Sequence, residues 1–166
     1  MRRRTVSIAL ALAPLASALP ARSQTTRHAR VALVLVEAAN PDSPFLAAFR
    51  RGMRDAGWVE GRNLTIDTQW GGGVGDSLDR AIAGAVAGRP DVLVAGSGLV
   101  VRPMINAGVA LPVVFVYSGD PVAGGVVESY ARPGVNRTGV SRFSLQLMPK
   151  RIEFMKELMP GMKRLA

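Results

Sequence analysis

Two apolar runs, each ended by small polar residues and a proline, constrain this chain most. Val113–Tyr117 (VVFVY) feeds straight into Ser118-Gly119-Asp120-Pro121. Val31–Val36 (VALVLV) is followed by the turn Ala38–Ser43 and then Pro44. Unbroken runs rich in Val and Leu read as strands of a parallel sheet covered on both faces. Proline suits the first helical position, where its missing N–H costs nothing, and Ser43 and Asp120 suit the N-cap before it. A strand that ends in a small polar loop at a helix start presents free backbone N–H groups and a positive dipole end. An ordinary capped turn looks the same locally, so the repetition of the unit along the chain carries the reading.

The unit does repeat. From Pro44, Phe45, Phe49 and Met53 recur at helical spacing beside Ala48, Gly52 and Ala56, which predicts that they face the sheet. Arg50, Arg51, Arg54 and Asp55 take the outer face, and Gly57 stops the helix. Asn63–Trp70 alternates as a second strand, with Leu64, Ile66 and Thr68 on one side. Gly71–Gly75 reads as a flexible loop, after which Asp76 or Ser77 caps a helix to about Ala87. Asp91–Ala95 is a third strand, Gly96–Leu99 a loop, and a short helix then runs to about Ala107. Pro112–Tyr117 is the fourth strand, Pro121 to about Tyr130 a fourth helix, and Asn136–Phe143 a fifth strand. Leu145–Met159 closes with Ile152, Met155 and Leu158 at helical spacing. Strands alternating with helices predict an α/β fold with a doubly wound, mostly parallel sheet.

Residues 1–23 read as a signal peptide. Arg2, Arg3 and Arg4 precede the apolar stretch Thr5–Leu19, which is too short and too broken by Pro14 to span a bilayer. Ala21 and Ser23 place small residues for cleavage before Gln24. Arg3-Arg4 raises a twin-arginine route, but Val6 and Ser7 lack its bulky follow-up, which leaves the export route open. Gln24–Arg30 reads as a mobile tail. The expected location is the periplasm or the medium, with no membrane span once the leader is removed.

The chain has no cysteine, which excludes disulfides, thiolate metal sites, a Cys nucleophile and a lipidated Cys. Loss of Arg2, Arg3, Arg4 and Arg22 with the leader lowers the net charge from +9 to +5. The remaining charges are scattered and aromatics are sparse, so no concentrated basic face for nucleic acid is expected. Gly71-Gly72-Gly73-Val74-Gly75 lacks the Lys-Ser/Thr of a phosphate loop, and Gly96-Ser97-Gly98 has Val101 where a dinucleotide fingerprint needs its third glycine. The single histidine, His28, falls in the tail, which supports neither a Ser-His-Asp arrangement nor a His metal site. Asp120 has no second carboxylate beside it and is read as an N-cap. No catalytic residue, metal or cofactor is expected.

In open parallel sheets the ligand crevice lies outside the carboxyl ends of the strands. Here that edge is made by Ala38–Ser43, Gly71–Ser77, Gly96–Leu99 and Ser118–Pro121, several of which combine a serine with a helix start. Such loops suit the carboxylate of a small ligand.

The order and spacing of several segments carry a family resemblance across nearly the whole chain. They are the MRRR leader ending in ARSQ, PFLAAFRRGMRDAGWVEGRNLTI, TQW, DPVAGGVV, ARPGVNRTGVS and KRIEFMKELMPGMKRLA. On these the chain resembles the ABC transporter substrate-binding proteins of the tryptophan/tyrosine-binding type, with a type I periplasmic-binding-protein fold. The resemblance implies two lobes around a cleft. Residues 24–144 correspond to the N-terminal lobe, and 145–166 to a hinge crossing and the start of a truncated second lobe. It also implies ligand contacts from the loops after the first, third and fourth strands. By position these are Asn40, Asp42 and Ser43, then Ser97, Gly98 and Leu99, then Ser118, Gly119 and Asp120. The chain departs from the family at Gly98-Leu99, where a Thr-Pro pair is usual, and at Val135, where a second glycine is usual.

The expected function is therefore capture of a small organic solute, with an amino acid as the family default, and its delivery to an ABC permease. The alternative is a ligand-sensing domain of a receptor or regulator on the same fold. A DNA-binding regulator needs a helix-turn-helix where the leader stands, and an exported hydrolase lacks a positioned histidine.

Overall fold

The computed structural model describes residues 28–134, 136–162 and 164. The leader with its cleavage site, most of the expected N-terminal tail, and Val135 lie outside the described residues. The elements run β1 (Ala29–Leu35), α1 (Pro44–Asp55), β2 (Leu64–Trp70), α2 (Asp76–Ala87), β3 (Val92–Ala95), α3 (Gly98–Asn106), β4 (Val113–Tyr117), β5 (Arg137–Ser141) and α4 (Met148–Leu158). The five strands form one sheet in the order β2-β1-β3-β4-β5, and every neighbouring pair is parallel. The chain steps outward from β1 to β2, returns across it to β3, and then continues to β5. This order requires helices on both faces.

Side-chain alternation assigns the faces. Ala32 and Val34 of β1, Leu93 and Ala95 of β3, and Val113 and Phe115 of β4 form one core with α2 (Leu78, Ala81, Ile82, Ala85) and α3 (Val100, Val101, Met104). Leu33 and Leu35 point the other way and meet Leu46 of α1, with Phe49, Ile66, Trp70 and Val94 around them. As the run VALVLV predicts, β1 is covered on both faces, with Val31–Leu35 all buried. β4 is covered on one face only. Val114 is 39 % exposed because the α1 cluster ends at Val94 of β3, one strand short of it.

The structure corrects several sequence expectations. α1 is rotated so that Leu46, 3 % exposed, enters the core while Phe45 stays 43 % exposed. Phe49 and Met53 are half-buried, and Ala48, Gly52 and Ala56 are exposed. α2 starts one residue earlier than the capping pattern suggests, with Gly75 rather than Asp76 or Ser77 at the N-cap. The expected tail is already in β1 at Ala29, and His28 Nε2 lies 2.8 Å from Thr65 Oγ1. α4 begins at Met148, none of its residues is buried, and Leu158 is 81 % exposed.

The helix expected over Pro121–Tyr130 does not form. Its start is built as foreseen: Asp120 Oδ1 accepts hydrogen bonds from the Val122 and Ala123 N–H groups at 2.8 and 3.1 Å, and Gly124 N–H donates to Asp120 O at 2.8 Å. Gly125 then takes φ +64°, a left-handed conformation open to glycine, and ends the turn. Val126 and Val127 plunge into the α2/α3 core instead of continuing the helix.

Candidate functional site

At the carboxyl edge of the sheet, on the α2/α3 side, lies an open cavity of about 600 Å³. Its volume falls in the range of small-molecule sites. Four segments bring its walls together. The loop before α2 supplies Val74 and Gly75, and Leu78 follows on the first turn of that helix. The start of α3 supplies Ser97, Gly98 and Leu99, with Arg102 and Pro103 one turn further along. The end of β4 supplies Tyr117, Ser118 and Gly119, and Leu145 arrives from beyond β5.

Residues 141–145 are laced onto the β4 loop, which is how Leu145 reaches the cavity. Arg142 N–H donates to Tyr117 O at 2.9 Å, while Leu145 N–H and Ser144 Oγ donate to Ser118 O, both at 3.2 Å. Ser141 Oγ donates to Gly119 O, and Arg142 Nη2 reaches Ser118 Oγ at 3.3 Å.

The lining is mostly apolar, with few polar groups. Arg102 is its one charged side chain, and its guanidinium donates to Gly124 O. Ser97 is the N-cap of α3, yet its side chain makes no capping bond; its Oγ is buried without a hydrogen-bond partner. A buried hydroxyl normally finds a partner, and this one sits at the N-terminus of α3, where free backbone N–H groups and the helix dipole favour an anion. Among the described residues no three His, Cys, Asp or Glu side chains gather as a metal site.

Of the nine positions expected to contact ligand, Ser97, Gly98, Leu99, Ser118 and Gly119 line the cavity. Asp120 stands just behind it, and its carboxylate is turned into its own loop. The Tyr130 hydroxyl, followed by the Ala123 and Val122 N–H groups, holds the Asp120 carboxyl below its ordinary value against an opposing desolvation, and the same contact raises the Tyr130 phenol. Asn40, Asp42 and Ser43 are not among the lining residues. Asn40 instead closes a local turn, its Oδ1 accepting from Asp42 N–H at 3.1 Å and its carbonyl from Ser43 N–H at 3.0 Å. Ser43 is buried at the start of α1, across the sheet from the cavity.

Sequence reasoning missed Leu78, Arg102, Pro103, Tyr117 and Leu145. Helical spacing from Leu99 signals Arg102 and Pro103; no local signal points to Leu145.

The geometry therefore joins a parallel doubly wound sheet to an apolar cavity at its carboxyl edge. The model of the ABC transporter substrate binding protein family matches residues 34–166. The chain belongs to this family. It is similar to a tyrosine-binding protein of Clostridioides difficile strain R20291, 27% identical over 117 residues, covering 70% of this chain and 33% of that protein. Among solved structures it is similar to a conserved domain protein from Vibrio cholerae, with TM-score 0.68 and 28% identity over 81% of this chain and 45% of that one. An ABC domain in complex with L-Trp from Streptococcus pneumonia shares the fold, with TM-score 0.57 and 22% identity over 69% of this chain and 38% of that one. The chain thus spans a third of the curated relative and less than half of each of these structures. Its fold is that of a periplasmic-binding-protein-like α/β domain.

Proposed function

We infer that the cavity is one wall of a solute-binding cleft, closed from the other side by a second lobe, in an exported protein that hands its cargo to an ABC permease. The lobe is residues 24–144, and 145–166 form the hinge crossing and the start of its counterpart. The protein captures and releases without covalent chemistry. The observation that carries this reading is the open, mostly apolar cavity of about 600 Å³ at the carboxyl edge of the sheet, with the buried, unpartnered Ser97 hydroxyl at the start of α3 beside it. A buried hydroxyl left unpaired lowers the stability of the empty protein, and a ligand group that reached it would offset that cost. An amino acid with an apolar side chain suits this lining, and the tyrosine-binding relative and the L-Trp complex support that class.

Calorimetry with L-tyrosine and L-tryptophan on the product of the complete natural open reading frame tests the reading. Binding is expected there and should be weak for residues 24–166 alone. Ser97→Ala should weaken binding roughly 2- to 10-fold while leaving the empty protein as stable or more so. Turnover of either ligand, or loss of stability with unchanged binding in Ser97→Ala, overturns it.

A further inference from the structure

The ring of Tyr117 sits in a frame of glycines drawn from three places in the chain. A Cβ added at Gly98 lies 2.8 Å from Tyr117 Cε2 and 3.0 Å from Cδ2; one added at Gly119 lies 3.3 Å from Cε1; one added at Gly124 lies 2.6 Å from the hydroxyl oxygen and 3.1 Å from Cζ. Gly98 thus borders one long edge of the ring, Gly119 the other, and Gly124 its tip. With its edges and tip held by backbone, the ring has only its faces left to offer. One side of Tyr117 packs on the α2/α3 core, and the residue also lines the cavity.

We propose that Tyr117 is the specificity-determining residue of this cavity, presenting a fixed aromatic face on which a planar group of the solute stacks. The proposal rests on the reading of the cavity as a solute site. An aromatic face by itself also suits a cation, but Arg102 in the same lining opposes a purely cationic solute and favours an anionic end. The combination selects a carboxylate that carries a flat, unsaturated side group. Offset stacking or edge-to-face contact adds to simple burial only for such a group; a saturated ring of equal bulk gains the burial and not the quadrupole term.

The test compares L-phenylalanine, L-cyclohexylalanine and L-leucine by calorimetry on the product of the complete natural open reading frame. The wild-type protein is expected to favour phenylalanine over cyclohexylalanine. Tyr117→Phe should keep that ratio, and Tyr117→Leu should reduce it roughly 2- to 10-fold, the factor matching the about 0.5–1.5 kcal/mol of an aromatic pair. Gly98→Ala, which pushes the ring out of its frame, should reduce it as well. Melting temperatures show that each variant is folded. If all three solutes bind and the ratio is the same in Tyr117→Leu as in the wild type, the role of Tyr117 is overturned while the binding-protein reading stands. If none of the three binds the wild-type protein, the amino-acid reading falls and this proposal with it.

Discussion

Replacing α1 residues one at a time with alanine tests how that helix is seated on the sheet. Leu46 is 3 % exposed and packs in one cluster with Leu33 and Leu35, which are themselves buried. Its truncation leaves a cavity against a rigid central strand, and the expected cost is about 3 kcal/mol, within the range for buried Leu→Ala. For a chain of this size that lowers the melting temperature by roughly 6–12 °C. Phe49 is half-buried at the rim of the same cluster, so Phe49→Ala should cost roughly 2 kcal/mol, about half the fully buried figure. Phe45 is 43 % exposed, and the helix propensity gained by alanine offsets part of the lost contact, so Phe45→Ala should stay within about 1 kcal/mol. Urea unfolding followed by tryptophan emission reads this directly, because Trp70 borders the cluster. If Phe45→Ala costs more than Leu46→Ala, α1 is rotated by roughly a quarter turn from the seating described, and the reasoning fails.

Gly139→Ala should destabilise by about 3 kcal/mol or prevent folding, because the new Cβ meets the Phe115 carbonyl oxygen and lies 2.6 Å from Phe115 Cδ2; an alanine variant with wild-type unfolding would show that β5 is not seated against β4. The Asp120 carboxyl, held below its ordinary value, should support the 118–130 loop fully above about pH 4 and lose that support as the pH falls through its depressed value. Tyr130, whose phenol is raised, gives the matching loss above about pH 10, and unfolding profiles should show both arms shrinking in Tyr130→Phe; superimposable wild-type and variant profiles refute the pair. Exported protein should begin at Gln24, which N-terminal sequencing reads, and a periplasmic product that retains Met1 refutes the leader.

Much of the architecture is legible from the chain alone because it follows from short-range chemistry. The apolar run VALVLV has no polar side to turn outward, so it had to be a strand with a helix on each face. Pro44 marks a helical start and Pro121 the start of a single turn because the fixed φ of proline suits the first helical position, and Asp120 caps its turn through bonds only two and three residues away. Even the failed helix leaves a local mark in Gly124-Gly125. That it stops after one turn, however, depends on the space that Val126 and Val127 fill between α2 and α3, which no local pattern encodes.

What the tertiary structure decided is rotation, neighbourhood and vacancy. Helical spacing puts Phe45, Leu46 and Phe49 on adjoining faces, and only the ridge of the sheet beneath selects Leu46. Loops that look equivalent in sequence were separated by the strand order: the chain sends α1 to one face and α3 to the other, so Ser43 and Ser97 end on opposite sides of the sheet although both precede a helix at the same edge. Gly98, Gly119 and Gly124 gain their meaning from the ring of Tyr117, since an absent side chain matters only where another group occupies the space. The sequence by itself determined which segments are strands and which ends carry polar loops, because hydrophobic period and backbone preference act over a few residues. Which of those ends share a cavity, and what its walls are made of, was decided by long-range packing, where the partners are far apart in the chain.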